Sequence, residues 1–249
     1  SAPLFLGTAG ESARVGPGAA ADPDGLLAQL PAALEAYRKK WGYSPKIILA
    51  DGIGMIGVED SKRSVDTALD VFEDLMKVSF LSASFGGPRF LSPKHIAFID
   101  AWEVENYRRA VAAAGARQGR VQNRGAVVTG AAQGFGRGIA EGLFREGANV
   151  VIADLNEKAG TALAEELCAG GRTPNGAVFA AADVTKPASL DALARECVAA
   201  FGGIDLLVSN AGVLKAGRVE EMAAETFDFV TRVNYTGYFL CVKHLSPVM

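Results

Sequence analysis

Thr129-Gly130-Ala131-Ala132-Gln133-Gly134-Phe135-Gly136 is the stretch whose reading decides the fold. Ahead of it runs Gly125-Ala-Val-Val-Thr129, short, apolar and β-branched. Behind it, Arg137-Gly-Ile-Ala-Glu-Gly-Leu-Phe-Arg-Glu146 has helical character and is closed by Gly147. A strand, a glycine turn and a helix in that order let the backbone take positive φ and come close to a ligand. The helix start adds unpaired N–H groups and the positive end of the helix dipole. Such a corner suits a diphosphate, although a glycine-rich turn is by itself a modest signal in a chain with 29 glycines.

Working outward, the C-terminal half alternates strand and helix. Strands are expected at 125–130, 148–154, 177–182 and 204–209, and helices at 136–146, 157–168, 188–201 and 223–245. This alternation implies right-handed crossovers, hence a parallel sheet with helices on both faces. Towards the N-terminus, residues 1–24 are rich in Ala, Gly and Pro and are expected to form a flexible arm. A helix over 26–40 follows, then strands at 46–50 and 54–58 joined by Asp51-Gly52. An amphipathic helix over 61–82 is capped by Asp60 or Ser61, and a further helix starts at Ser92-Pro93 and runs through Trp102 to about residue 114. The polar, glycine-containing stretch 115–124 is the best boundary, which gives a smaller α+β segment over 1–122 and an α/β domain over 123–249.

Composition narrows the classes of function. Of 249 residues, 49% are hydrophobic and 21% charged, a globular mixture, and a net charge of -3 supplies no basic field for nucleic acid. No apolar run reaches the roughly 18 residues of a membrane span, and the start lacks a signal peptide's basic flank. Cys168, Cys197 and Cys241 lack the close pairing of zinc sites and read as small apolar residues, which fits a reducing cytoplasm. His95 and His244 lie in separate regions and read as helix-start and helix-end residues, so no metal site is expected.

The second strand ends at Asp154, 24 positions after Gly130, about where a ribose-binding carboxylate is expected. A carboxylate there accepts from the adenosine 2′-OH and repels a 2′-phosphate. Neither Gln133 nor Leu155 is basic, so NAD is favoured over NADP. The alternative for Asp154 is an N-cap on the helix beginning near Glu157.

Taken together, the turn, Asp154, Asp183-Val184, Asn210-Ala211-Gly212 and Asn234 resemble the short-chain dehydrogenase/reductase family. The resemblance implies a Rossmann-type doubly wound sheet, here with about four strands. It implies that Gly130, Gln133, Gly134, Phe135, Gly136, Asp154 and Leu155 form the cofactor side of the cleft and that Asp183 and Val184 flank the adenine. Asn210 would hold the central sheet together through the Thr129 region, and Ala211 and Gly212 would line the cleft. For Asp183 a plain turn carboxylate before Thr185 is the alternative. Asn234 interrupts an apolar helical stripe from Phe227 to Tyr238. The resemblance makes it a catalytic residue that distorts its helix and holds a water in a proton relay; the alternative is a buried Asn with satisfied hydrogen bonds.

Family chemistry also implies a Ser and a Tyr base with a Lys four residues later, because a Tyr near pKa 10 needs a nearby positive charge to act at neutral pH. None of the five tyrosines has that Lys: Tyr37, Tyr43, Tyr107, Tyr235 and Tyr238 are followed by Trp41, Ile47, Val111, Phe239 and Val242. The expectation is that the chain is C-terminally truncated and inactive alone as a dehydrogenase. The stretch Pro45 to Val58 and Trp102-Glu-Val-Glu-Asn-Tyr107 further resemble the junction of bifunctional proteins that fuse a class II, rhamnulose-phosphate type aldolase to a short-chain dehydrogenase. By that resemblance the substrate is a small alcohol or hydroxy-aldehyde and the full-length protein a homo-oligomer. The competing expectation is a non-catalytic dinucleotide-binding or interaction module.

Overall fold

The computed structural model describes residues 3–7, 23–102, 107, 119–169 and 175–249. The chain divides into two compact units, Ser1–Ala116 and Arg117–Met249.

In the first unit, β1 (Leu4–Leu6) pairs in parallel with β2 (Ile47–Ala50), which pairs antiparallel with β3 (Gly54–Gly57). Helix α1 (Pro23–Trp41) contributes Leu26 and Tyr37 to a small core with Leu4, Leu6, Ile48 and Ala50. Helix α2 (Lys62–Ser82) starts where Ser61 accepts from the Ser64 amide, as a side-chain N-cap. Helix α3 (Pro93–Asp100) is capped in the same way by Ser92, with Pro93 in its first turn.

Two features depart from the sequence reading. Leu4–Leu6 form a strand rather than part of an arm, because Leu4 and Leu6 point into the core while Phe5 faces out. Helix α3 stops at Asp100 instead of passing through Trp102; the expected continuation lies almost wholly outside the described residues.

The second unit holds a four-stranded parallel sheet of β4 (Gly125–Thr129), β5 (Asn149–Asp154), β6 (Ala177–Ala181) and β7 (Leu206–Val208), in the order β6-β5-β4-β7. Its helices are α4 (Gly134–Arg145), α5 (Glu157–Ala169), α6 (Pro187–Phe201), α7 (Ala224–Thr231) and α8 (Gly237–Leu245). Strand alternation sorts the core into two layers. Ala126, Val128, Val150 and Ile152 pack with Ala140 and Phe144 of α4 and Leu163 of α5. Val127, Val151 and Ala153 pack on the other face with Leu190, Leu193 and Cys197 of α6 and Cys241 and Leu245 of α8. Helices cover both faces, so the sheet is doubly wound.

That topology positions the site. From β4 the chain moves to β5 on one side, whereas β7, reached later, lies on the other. The order therefore reverses beside β4, and a crevice opens outside the carboxyl ends of the strands, where ligands bind in open α/β sheets.

Candidate functional site

A cleft of about 480 Å³ lies at this reversal point. Its lining includes Gly130, Gln133, Gly134, Phe135 and Gly136 from the turn after β4, and Asp154 and Leu155 from the end of β5. Asp183 and Val184 come from the segment after β6, and Asn210, Ala211 and Gly212 from the segment after β7. All twelve residues read from sequence as cofactor-binding thus meet around one opening. Ala182, Thr185, Val213, Phe229 and Val233 also line it; nothing in their local sequence separates them from ordinary strand-end, turn and helix residues.

Two glycines show why the turn has its composition. Gly130 sits at φ 65°, and a Cβ there would meet the Ala211 Cα at 2.8 Å. A Cβ on Gly136 would collide with the Gly130 carbonyl and lie 2.5 Å from the Asn210 amide nitrogen. Side chains at either place would push α4 away from the strand ends. With α4 seated closely, its first residues, Gly134 to Gly136, line the cleft, and the first amides of a helix have no partner within it. The exposed ring of Phe135 stands beside them.

The turn is held from both flanks. On the β7 side, Asn210 Nδ2 donates to the Thr129 and Gly130 carbonyls at 3.0 and 3.1 Å. The Asn210 and Ala211 amides both donate to the fully buried Thr129 Oγ1 at 3.0 Å. On the β5 side, the Gly130 amide donates to the Ala153 carbonyl at 2.7 Å, and the Ala132 amide donates to Asp154 Oδ2 at 2.9 Å. Asp154 Oδ1 accepts from the Asn156 amide at 2.9 Å. The cap of α5 is Asn156, whose Oδ1 accepts from the Ala159 amide, so Asp154 is not the N-cap of that helix. A carboxylate has about four acceptor positions. Two are used here, which leaves capacity for hydroxyls in the cleft.

Asp183 does serve as a turn carboxylate. Its Oδ1 accepts from the amide and hydroxyl of Thr185 at 3.0 and 2.6 Å, and Oδ2 pairs with Lys186 at 2.9 Å. These hydrogen bonds, led by the Thr185 hydroxyl, hold its carboxyl below the usual Asp range. Val184 is buried and packs where a Cβ on Gly237 would stand, 2.9 Å from its Cγ2.

Asn234 lies in a π-helical turn, Arg232–Thr236, between α7 and α8, where the Gly237 amide bonds back to the Arg232 carbonyl. Its side chain clamps the Val213 backbone: Oδ1 accepts from the amide at 2.8 Å and Nδ2 donates to the carbonyl at 2.9 Å. The stripe that carries it corrects the sequence reading. Asn234 is exposed rather than buried, as are Phe227, Tyr235 and Tyr238, because helical spacing shows which residues share a face but not whether anything covers it.

The cysteines and histidines lie apart from the cleft lining. Cys197 and Cys241 are fully buried, and burial pushes the Cys197 thiol up to about 12. His95 accepts or donates to Ser92 at the start of α3, and His244 pairs with Asp191 at 2.6 Å near the end of α8. Among the described residues no group of three His, Cys, Asp or Glu could hold a metal ion. No described helix is long and apolar enough to cross a membrane.

The short chain dehydrogenase family profile matches residues 124–249. Trans-4-hydroxycyclohexanecarboxylate dehydrogenase of Sinomonas cyclohexanicum is 41% identical over 133 residues, covering 52% of this chain and 51% of that protein. The 3-alpha-(or 20-beta)-hydroxysteroid dehydrogenase of Mycobacterium tuberculosis is 37% identical over 131 residues, with 53% and 48% covered. Among solved structures, a short chain dehydrogenase/reductase from Burkholderia phymatum in complex with NAD shares 35% identity, with 52% of this chain and 45% of that one covered, at a TM-score of 0.49. The chain spans about half the length of the curated relatives it matches.

Proposed function

The chain belongs to the short-chain dehydrogenase family, and from that membership we propose that residues 123–249 form the NAD-binding part of an oxidoreductase. The observation that carries this reading is the cleft itself, in which the Gly130–Gly136 turn, the start of α4 and the Asp154 carboxylate face one opening. The turn amides and helix start would hold the diphosphate, Asp154 the adenosine ribose, and Val184 with Asp183 the adenine side. Bound NAD supplies a hydride acceptor, or as NADH a donor. With a carboxylate at Asp154 and no basic side chain at Gln133 or Leu155, the site is assigned to NAD over NADP.

The substrate is proposed to be a small alcohol or hydroxy-aldehyde, in a bifunctional protein whose residues 1–122 belong with a class II aldolase. What supports this is the resemblance of Pro45 to Val58 and of Trp102 to Tyr107 to such a junction. A cytoplasmic homo-oligomer is the proposed setting. Asn234, fixed by Val213 in its π-turn, is the residue assigned to the proton relay. The Ser and the Tyr-x-x-x-Lys pair of the family's chemistry have no counterpart in this sequence, so the 249-residue chain is expected to bind NAD without turning over substrate. General acid–base assistance of the kind it lacks is worth about 10²–10⁴-fold. The same observation favours one second reading, a non-catalytic dinucleotide-binding module.

NADH fluorescence titration tests the binding claim. The natural chain should saturate, and Gly136→Val, which fills the gap against Gly130 and Asn210, should lose saturable binding while keeping helical circular dichroism. Equal binding by both proteins would remove the cleft from the account. Robust turnover of small alcohols by the 249-residue protein would contradict the assignment of its missing base.

A further inference from the structure

Asp154 is expected to hold a ribose, but the structure gives its carboxylate a second task. Oδ2 lies 2.9 Å from the Ala132 amide, and Oδ1 lies 2.9 Å from the Asn156 amide. Ala132 is the third residue of the turn and stands one position before Gln133, which opens α4 as its N-cap. Its amide therefore sits between the strand end and the helix whose first amides would meet a diphosphate. No side-chain cap holds that helix start. Backbone bonds from Gly130 and Ala131 to the Ala153 carbonyl secure the first half of the turn, at 2.7 and 3.4 Å. Asn210 secures Thr129 and Gly130 from the other side. Beyond Gly130 and Ala131, the bond to Asp154 is the last cross-tie before the helix begins.

Energetics favour a real tie. Ala132 is 4% exposed and its amide is satisfied by the Asp154 carboxylate, so removing the carboxylate takes that partner away. An ionised acceptor also makes a stronger bond than a neutral one. Meanwhile Asp154 is itself tethered by Asn156 at the head of α5, which fixes its rotamer independently of any ligand.

We propose that Asp154 is a positioning residue for the diphosphate turn as well as a ribose ligand, bracing Ala132 so that the start of α4 is preset for a dinucleotide. The ligand half of this statement rests on the NAD reading; the bracing half does not. Removing the carboxylate should therefore weaken even a dinucleotide that offers it no hydroxyl.

The experiment pairs Asp154→Ala and Asp154→Asn with two ligands, NAD and its adenosine 2′,3′-dideoxy analogue, measured by calorimetry, together with amide hydrogen exchange over residues 129–137 without ligand. Bracing predicts that Asp154→Ala binds the 2′,3′-dideoxy analogue about tenfold more weakly than the natural chain does, the loss typical of one hydrogen bond to a charged group. It also predicts faster exchange at Ala132 with unchanged exchange in the β5 core. Asp154→Asn, whose side-chain oxygen can still accept from Ala132, should recover most of that protection. If Asp154 acted through the ribose alone, the natural chain and Asp154→Ala would bind the 2′,3′-dideoxy analogue equally and Ala132 would exchange at the same rate. Either result overturns the proposal, as does Asp154→Asn exchanging like Asp154→Ala. Should neither dinucleotide bind the natural chain, the NAD reading fails, and the exchange rates still decide the brace. If Asp154→Ala does not fold, Asp154→Asn and Asp154→Ser carry the same comparison.

Discussion

The two compact units bury their apolar residues differently. In Arg117–Met249 the strand β5 is covered on both faces: Val150 and Ile152 are enclosed by one layer, Val151 and Ala153 by the other, and all are at most 1% exposed. In Ser1–Ala116 the 21-residue α2 buries Phe72, while Val71, Val78, Phe80 and Leu81 are more than half exposed. A parallel sheet with helices on both faces encloses its own side chains and leaves its strand ends as a fixed rim. Three short strands with helices enclose few. The candidate site residues lie in the second unit, where the turn, the carboxylate and the Asn210 amide sit over this two-layer core.

The largest expected effect falls on that core. Ile152→Ala should destabilise the second unit by about 2–5 kcal/mol, the range for buried large-to-small changes, read from urea unfolding. A loss below about 1 kcal/mol would mean the two-layer core is not what stabilises the unit. A smaller effect is expected on the rim. Asn210→Ala leaves the Thr129 and Gly130 carbonyls without their side-chain partner, which should cost about 1–3 kcal/mol and weaken NADH binding in the same protein. Unaltered binding would show that the turn keeps its shape without the β7 flank. Smallest is Phe80→Ser, at a residue 81% exposed, expected to stay within about 0.5 kcal/mol of the natural chain. A cost near that of Ile152→Ala would erase the contrast between the units.

Much of the second unit was legible because its signals are local and agree. The apolar run at 125–129 is bounded by glycines, and so is the corner that follows. The starts of α2 and α3 were equally readable, since Ser61 and Ser92 cap through their own side chains within three residues. What was missed depends on distant partners. β1 is three residues long and exists by pairing with β2, more than forty positions away. The bond from Ala132 to Asp154 joins a backbone amide to a carboxylate 22 residues on, and no pattern in the sequence marks it. For Asn234, the apolar stripe pointed only to a buried amide, while the family resemblance implied a distorted helix; Arg232–Thr236 is a π-helical turn. Its exposure and its grip on Val213 depend on how the segment after β7 returns to the helix.

The most direct test of the central claim is the dissociation constant of the 249-residue protein for NAD against that for NADP, measured by calorimetry under one buffer and salt. The account predicts saturable binding of NAD and at least about tenfold weaker binding of NADP, because Asp154 meets a 2′-phosphate with like charge. Replacing Leu155 with Arg should narrow that gap. Equal affinities, a preference for NADP, or no binding of either dinucleotide would contradict it.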